Sequence, residues 1–424
     1  MVVKMEDMRK VKGMSIAKEH TIKQVEGGWI VPSQNSNKNY FVGEHDFDCT
    51  CPDCRTRKLT CKHAYAVKYF LGFEKADGST QKVRLTYKQA WHTYNQAQTS
   101  EIKQFEILLT NLLESIEEPI ISGAGRKPVP TREAFFCAIK KVYSQMSSRR
   151  AKGLFDEAKE KSLIAKSPYF NCVSVLLNKE NTTELLEKLI TLSALPLKSV
   201  EHTWLADSSG FRTTQFNQYC QEKHGASKQH KWLKAHIVCG AKTNIISSAK
   251  VTASDGIGSG DCPNFAPLMQ TTKDAGFEVT TAIADKAYSS RDNLSLIDYF
   301  GGTALIPFKS NAIGKPRGKS HIWRKMFNYF QLNQEEFYDR YHARSNVETT
   351  FHMIKSKLGD SLKSKNFTAQ RNELLCKIVA HNIIILITEM YELGIAPQFE
   401  PFFENKESEN LHVNKETCTL IQQK

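Results

Sequence analysis

Residues 202–210 read HTWLADSSG and residues 280–288 read TTAIADKAY. Each is a short apolar run closed by an aspartate, Asp207 or Asp285, and followed by small or turn-forming residues. The pattern predicts two strands, each with a carboxylate at its C-terminal end, where open α/β sheets bind ligands. If the strands are parallel neighbours, the two carboxylates meet at one edge. Close anions repel, and a shared divalent cation removes that penalty. A lone aspartate in such a position more often caps the next turn; the repetition of the layout favours the shared site. Further strands are predicted at 233–239, 245–251 and 303–307, and helices at 265–275, 291–299, 335–358 and 374–390. Three strands, then alternating helix and strand, then helices, give an α/β fold with a mixed five-stranded sheet flanked by helices.

The third acidic element lies in residues 341–355, YHARSNVETTFHMIK. At roughly 100° per residue, Tyr341, Arg344, Glu348 and Lys355 fall within an arc of about 60° of a helix. Val347, Phe351, Ile354 and Leu358 form an apolar stripe beside them. A solvated face with an Arg344–Glu348 pair, worth about 0.3–0.5 kcal/mol, would explain the charges. It gives no reason for Tyr341 and Lys355 to share that face.

These residues resemble a known family. Tyr341, Arg344, Glu348 and Lys355 match the Y-(2)-R-(3)-E-(6)-K signature of insertion-sequence DDE transposases. LADSSGF (205–211) and IADKAYSS (283–290) are similar to that group's first and second aspartate motifs. The resemblance covers about residues 202–390. It implies an RNase H-like catalytic domain in which Asp207, Asp285 and Glu348 hold two Mg²⁺ or Mn²⁺ ions. Hard cations of this kind take oxygen ligands, and a pair about 3.5–4 Å apart suits phosphodiester cleavage. It also implies that Tyr341, Arg344 and Lys355 grip the transposon end, and that the freed 3′-hydroxyl is joined to target DNA. The partners implied are double-stranded DNA, as terminal inverted repeats and target, and a second copy of the chain in a homodimeric end-joined complex. Glu348 follows Asp285 by 63 residues. That leaves room for a strand, a loop and a helix, but not for a large β insertion.

A second metal site is predicted near the N-terminus. Residues 49–54 read CTCPDC and residues 61–67 read CKHAYAV. Cys49, Cys51, Cys61 and His63 form two close pairs suited to a tetrahedral structural Zn²⁺. The run resembles the SWIM-type zinc finger, and the resemblance assigns the ligands to these four residues. Cys54 departs from that pattern and competes with Cys51. A small zinc-binding ββα module is expected over residues 21–73, with the metal supplying on the order of 10 kcal/mol of its folding energy. Arg55, Arg57, Lys58, Lys62 and Lys68 make it basic, which fits DNA, a protein partner or simply a solvated face.

The totals agree. Lys and Arg number 58 against 45 Asp and Glu, a formal +13 over 424 residues, which favours a polyanionic partner. Eleven cysteines, an odd number and locally clustered, exclude a disulfide framework. The start, MVVKMEDMRK, is too charged for a signal peptide. Residues 378–390, interrupted by His381 and Asn382, are too short and polar to cross a bilayer. A cytoplasmic, nucleoid-associated protein without membrane contact is expected.

Between the module and the catalytic region (201–395) we expect a helical connector at 84–120 and a linker at 122–131. A helical region follows at 125–200, and a polar tail at 396–424. The 125–200 region resembles the segment that binds terminal inverted repeats in related transposases, with Arg126, Lys127, Arg132, Arg149 and Arg150 available to phosphates. Trp323 is either a stacking platform for an unpaired base or a core anchor. Asp255 and Asp261 read as turn residues, and the chemistry does not require His342 or His352. A non-catalytic DNA-binding regulator and another nuclease on the same fold are the competing functions.

Overall fold

The computed structural model describes residues 5–34, 38–44, 47–57, 60–71, 90–118, 127–213, 232–254, 258–315 and 321–399. Lys58, Arg126, Asp255 and most of the expected tail (400–424) lie outside the described residues. The chain divides into two compact units, Met1–Gln89 and Ala90–Lys424.

The first unit comprises helix α1 (Met5–Glu19), strands β1 (Lys23–Val25), β2 (Gly28–Pro32) and β3 (Asn39–Gly43), the short helix α2 (Pro52–Arg57) and helix α3 (Lys62–Phe70). The strands form an antiparallel meander, β1-β2-β3. The module is therefore larger than the expected ββα unit: it has three strands, and α1 precedes it and packs along α3. Gly13 permits that approach, since a Cβ there would lie 2.5 Å from the Tyr65 Cβ. Gly28 is required in the same way, because a Cβ would meet the Val42 carbonyl oxygen at 2.2 Å. The core is small: Ile16, Ile22, Trp29, Val31, Val42, Ala64, Ala66 and Val67 gather around Cys49, Cys51 and Cys61.

The second unit opens with helices α4 (Trp91–Leu113), α5 (Thr131–Tyr143), α6 (Lys152–Glu160), α7 (Cys172–Leu177) and α8 (Asn181–Ala194). Strands β4 (Thr203–Arg212), β5 (Trp232–Gly240) and β6 (Ile246–Ala253) follow, then α9 (Asp261–Asp274), β7 (Thr281–Ala284), α10 (Arg291–Tyr299) and β8 (Thr303–Leu305). The unit ends with α11 (His321–Leu332), α12 (Gln334–Tyr341), α13 (Ser345–Leu358) and α14 (Phe367–Glu392). The sheet order is β6-β5-β4-β7-β8. β4, β5 and β6 pair antiparallel, whereas β7 lies parallel to both β4 and β8. One continuous apolar core runs from α4 through the sheet to α14, so the helices of 125–200 and the sheet region are parts of a single core.

Three expectations need correction. β4 does not end at Asp207. It continues to Arg212 because residues 208–212 pair with 232–236 of β5, and a Cβ on Gly210 would lie 3.3 Å from the Trp232 ring. The helix predicted at 335–358 is broken into α12 and α13 by a 3-10 turn, His342–Arg344, which keeps nearly helical spacing and so escapes a periodicity test. Trp323 stands on α11, where a loop was expected.

Helix α14 is longer than predicted, 26 residues. By length and composition it is apolar enough to cross a membrane, yet 83% of its most apolar stretch is buried in the core. Its two polar interruptions are docking groups. Asn382 accepts from the Ile246 amide (2.9 Å) and donates to the Ile246 carbonyl (2.7 Å), while His381 Nε2 lies 3.0 Å from the Asn244 carbonyl oxygen. Buried polar groups satisfied in this way fix the helix against β6.

Candidate active site and metal centre

Alternation along β4 builds the first site. Asp207, Ser209 and Phe211 point to the side occupied by α13, because side chains two apart share a face. Arg344 Nη1 meets Asp207 Oδ2 at 3.1 Å. Lys355 donates to Ser209 Oγ at 2.7 Å and sits 5.1 Å from the Phe211 ring centroid. Helix α13 thus runs along β4, tied at both ends by its cations.

Asp285 follows β7 directly, and the register pairs Ala206 with Ala284. The parallel pairing therefore sets Asp207 and Asp285 at equivalent positions on neighbouring chain segments, as the sequence predicts. Asp285 also caps the following turn, accepting from the Ala287 amide at 2.7 Å. The capping and site readings are compatible. Glu348, in the first turn of α13, is reached through Arg344, whose Nη2 lies 2.5 Å from Glu348 Oε1. One guanidinium therefore bridges Asp207 and Glu348. Tyr341 stacks on Phe337 at 5.9 Å and is half-buried beside the same charges.

The electrostatics follow from burial. Asp207 is pushed above the usual carboxylate range chiefly by desolvation, with Asp285 and Asp261 acting the same way. The Ser208 amide and Arg344 oppose that rise. Burial works against the Arg344 charge, but Tyr341, Glu348 and Asp207 more than offset it. Burial raises Tyr341 to about 12 and lowers Lys355. In this structure the cation between Asp207 and Glu348 is Arg344, and among the described residues the group close enough to hold a metal ion is the Cys49 cluster.

Asp261 was missed. It opens α9, accepts from Ser208 Oγ (2.6 Å), which points to the opposite face of β4, and pairs with Lys234 Nζ (2.8 Å), while His236 Nδ1 lies 3.5 Å away without a hydrogen bond. Burial would raise its pKa, but the bonds from Lys234 and Ser208 hold it down. His236 is pressed to about 4 by burial and stays neutral at pH 7. The sequence carried one signal: Lys234 and His236 are two apart on an otherwise apolar strand, so both point to one face.

Trp323 is the core anchor. Its Nε1 donates to the Ile313 carbonyl at 2.8 Å, and the Arg291 guanidinium lies 4.4 Å from its ring centroid. His342 and His352 are exposed.

In the first unit, Cys49, Cys51, Cys61 and His63 are all buried, with ligand atoms within 4.8 Å of one another. His63 Nδ1 lies 3.8 Å from Cys49 Sγ and 3.9 Å from Cys61 Sγ. A tetrahedral zinc with Zn–S bonds of about 2.3 Å places its donors about 3.7 Å apart, so the cluster has the right size. Cys61 is drawn down to about 3, chiefly by the bond from Cys49, while Cys49 is pushed up by the same bond. Cys54 lies outside the cluster; its amide faces Cys51 Sγ at 3.4 Å. The structure thus resolves the competition between Cys51 and Cys54 in favour of Cys51.

Residues 201–383 match the family model described as a transposase DDE domain. The match begins just before β4, ends within α14, and contains all five strands of the sheet with Asp207, Asp285 and Glu348. A solved structure, the cryo-EM structure of the piggyBac transposase synaptic complex with hairpin DNA, is similar over 75% of this chain and 79% of that chain. Identity is 12% and the TM-score 0.33, a likeness too loose to define a shared fold.

Proposed function

We propose that this chain is a DNA transposase whose second unit, an RNase H-like catalytic domain, cuts transposon ends and joins the freed 3′-hydroxyl to target DNA. The observation that carries the reading is the bridge from Asp207 through Arg344 to Glu348, with Asp285 beside Asp207 on the next parallel strand. It lies wholly within the segment that matches the transposase DDE domain. A non-catalytic regulator has no need of carboxylates held against burial and mutual repulsion.

Asp207, Asp285 and Glu348 would hold Mg²⁺ or Mn²⁺. When bound, such ions supply Lewis-acid activation of water and neutralise charge on the departing oxygen. The protein's own groups do the rest. Arg344, already between two carboxylates, suits a bidentate grip on the scissile phosphate. Lys355, fixed by Ser209 and the Phe211 ring, offers a point contact to a neighbouring phosphate. Tyr341 stays protonated at neutral pH and can donate to a DNA oxygen. Asp261 positions Ser208, and through it the strand that carries Asp207. Joining two ends of an element calls for two copies of the chain, so the working assembly is a homodimer. The four-ligand cluster of the first unit is assigned to structural Zn²⁺ in a SWIM-type finger.

Asp207→Ala tests the reading on DNA ends taken from the sequences flanking this gene. Mn²⁺-dependent nicking should fall by about two to three orders of magnitude, as expected when a group that stabilises developing charge is lost, with end binding retained. Unchanged nicking would remove Asp207 from the site.

A further inference from the structure

At the end of β4 away from the carboxylates, Arg212 Nη2 meets both oxygens of Asp360 (2.6 and 2.5 Å), and its backbone bridges to Ser361. Residues 359–361 form one wall of a cavity of ≈ 290 Å³, and Lys141, Gln145, Lys363 and Lys377 are among its other lining residues. Its charge is out of balance. Lys377 donates to the carbonyls of Gly359 (2.6 Å) and Ser361 (2.9 Å), and Lys363 Nζ donates to the Gln145 carbonyl.

Both carboxylates in the wall are already engaged. Asp360 is held by Arg212, and Glu373 accepts the backbone amides of Lys363 (2.9 Å) and Ser364 (2.7 Å). Lys141 is 5% exposed and, among the described residues, its ammonium has neither a hydrogen-bond nor an ion-pair partner. Lys141 thus lines the cavity as a cation without a counter-ion. Burial and then Lys363 lower Lys377 to about 8, and burial and then Lys141 lower Lys363.

We infer that this cavity is a phosphate site, and that its occupant is a backbone phosphate of the DNA that lies along β4. The inference rests on the DNA reading given above. Position supports it. Arg212 is five residues beyond Asp207, about 17 Å along an extended strand, or about the axial rise of five base pairs. Lys355 stands between them on the same helix that leads into residues 359–361. Arg344, Lys355 and the three-lysine cavity therefore form a line of cations running away from the carboxylates. Ammonium groups are point-charge partners for phosphate, and a bound phosphate would remove the repulsion between Lys141 and Lys363.

The test is the salt dependence of DNA binding by the full chain, read by anisotropy on a labelled 30-base-pair duplex without divalent ion. The variants are Lys141→Met and Lys363→Gln, with Lys188→Gln, exposed on α8 and outside the cavity, as control. Each cavity variant should reduce the slope of log K against log salt by roughly 0.9 and weaken binding several-fold near 0.1 M salt, as expected for one lost phosphate contact. The control should keep the wild-type slope. Lys363 is exposed, so its variant decides the question even if Lys141→Met fails to fold. A full wild-type slope in the cavity variants overturns the proposal. If inorganic phosphate at constant ionic strength then raises the wild-type Tm but not that of Lys141→Met, the site takes free phosphate and the DNA assignment falls. Because no cleavage is involved, the outcome is independent of the Asp207→Ala nicking experiment.

Discussion

The two units gather metal-type ligands in opposite ways. In the first, the four donors lie within 15 residues of sequence, and three of them belong to the small core itself. In the second, Asp207 and Glu348 are 141 residues apart and are linked through Arg344 only because a large core has already set β4 against α13. A short-range cluster holds its fold together; a long-range cluster is held together by its fold. The first unit should therefore depend on its metal for structure, and the second only for chemistry.

Chelation should expose that difference most clearly. Stripping zinc from the full chain should remove on the order of 10 kcal/mol from the first unit. Hydrogen exchange should rise to that of an unfolded chain in residues 23–70 and stay unchanged in residues 232–253. Protection retained in both would mean that the first unit stands without a metal. Next in size is Trp204→Ala. The indole is fully buried on the other face of β4 from Asp207 and donates to the Glu278 carbonyl at 2.9 Å. Its loss should cost the second unit about 3–5 kcal/mol in chemical denaturation and leave the first unit's transition in place.

The smallest effect sharpens the contrast. Asp207 has a raised pKa in the fold, so its ionised form penalises the native state above the folded pKa, and the penalty fades as pH falls towards the unfolded value. Asp207→Asn should modestly raise the Tm at pH 7 while abolishing cleavage, and the gain should shrink on acidification. A loss of Tm at pH 7 would show that the Arg344 bridge outweighs the desolvation of Asp207.

What the sequence disclosed follows the same division between near and far. All five strands of the second unit are marked by apolar runs, and the four zinc-type ligands by spacing alone. Residues 208–212 were misread because Ser-Ser-Gly carries turn chemistry, which β5 overrides by pairing. The 3-10 turn at His342–Arg344 was hidden by its near-helical period. Helix α1 was missed because its apolar residues are spread around its circumference, and only packing against α3 gives it a face. Asp261 and the Lys141 cavity were out of reach for a different reason. Each depends on partners from distant segments, and the one local trace, Lys234 and His236 on a single face of β5, does not point to Asp261.

Helix α14 has a consequence for how the molecule is made. It touches α4, α5, α7, α8, α13 and the sheet, yet it is synthesised after all of them. A growing chain that has reached residue 366 already carries every strand and Asp207, Asp285 and Glu348, but its interior still lacks the element around which it closes. Until those 26 residues arrive, the nascent unit displays sticky surface, and the arriving segment is itself greasy enough to stray into lipid. Folding of this unit therefore hinges on the arrival of this helix, and a chaperone that shields the unfinished core should matter more here than for a domain whose central helix is made first.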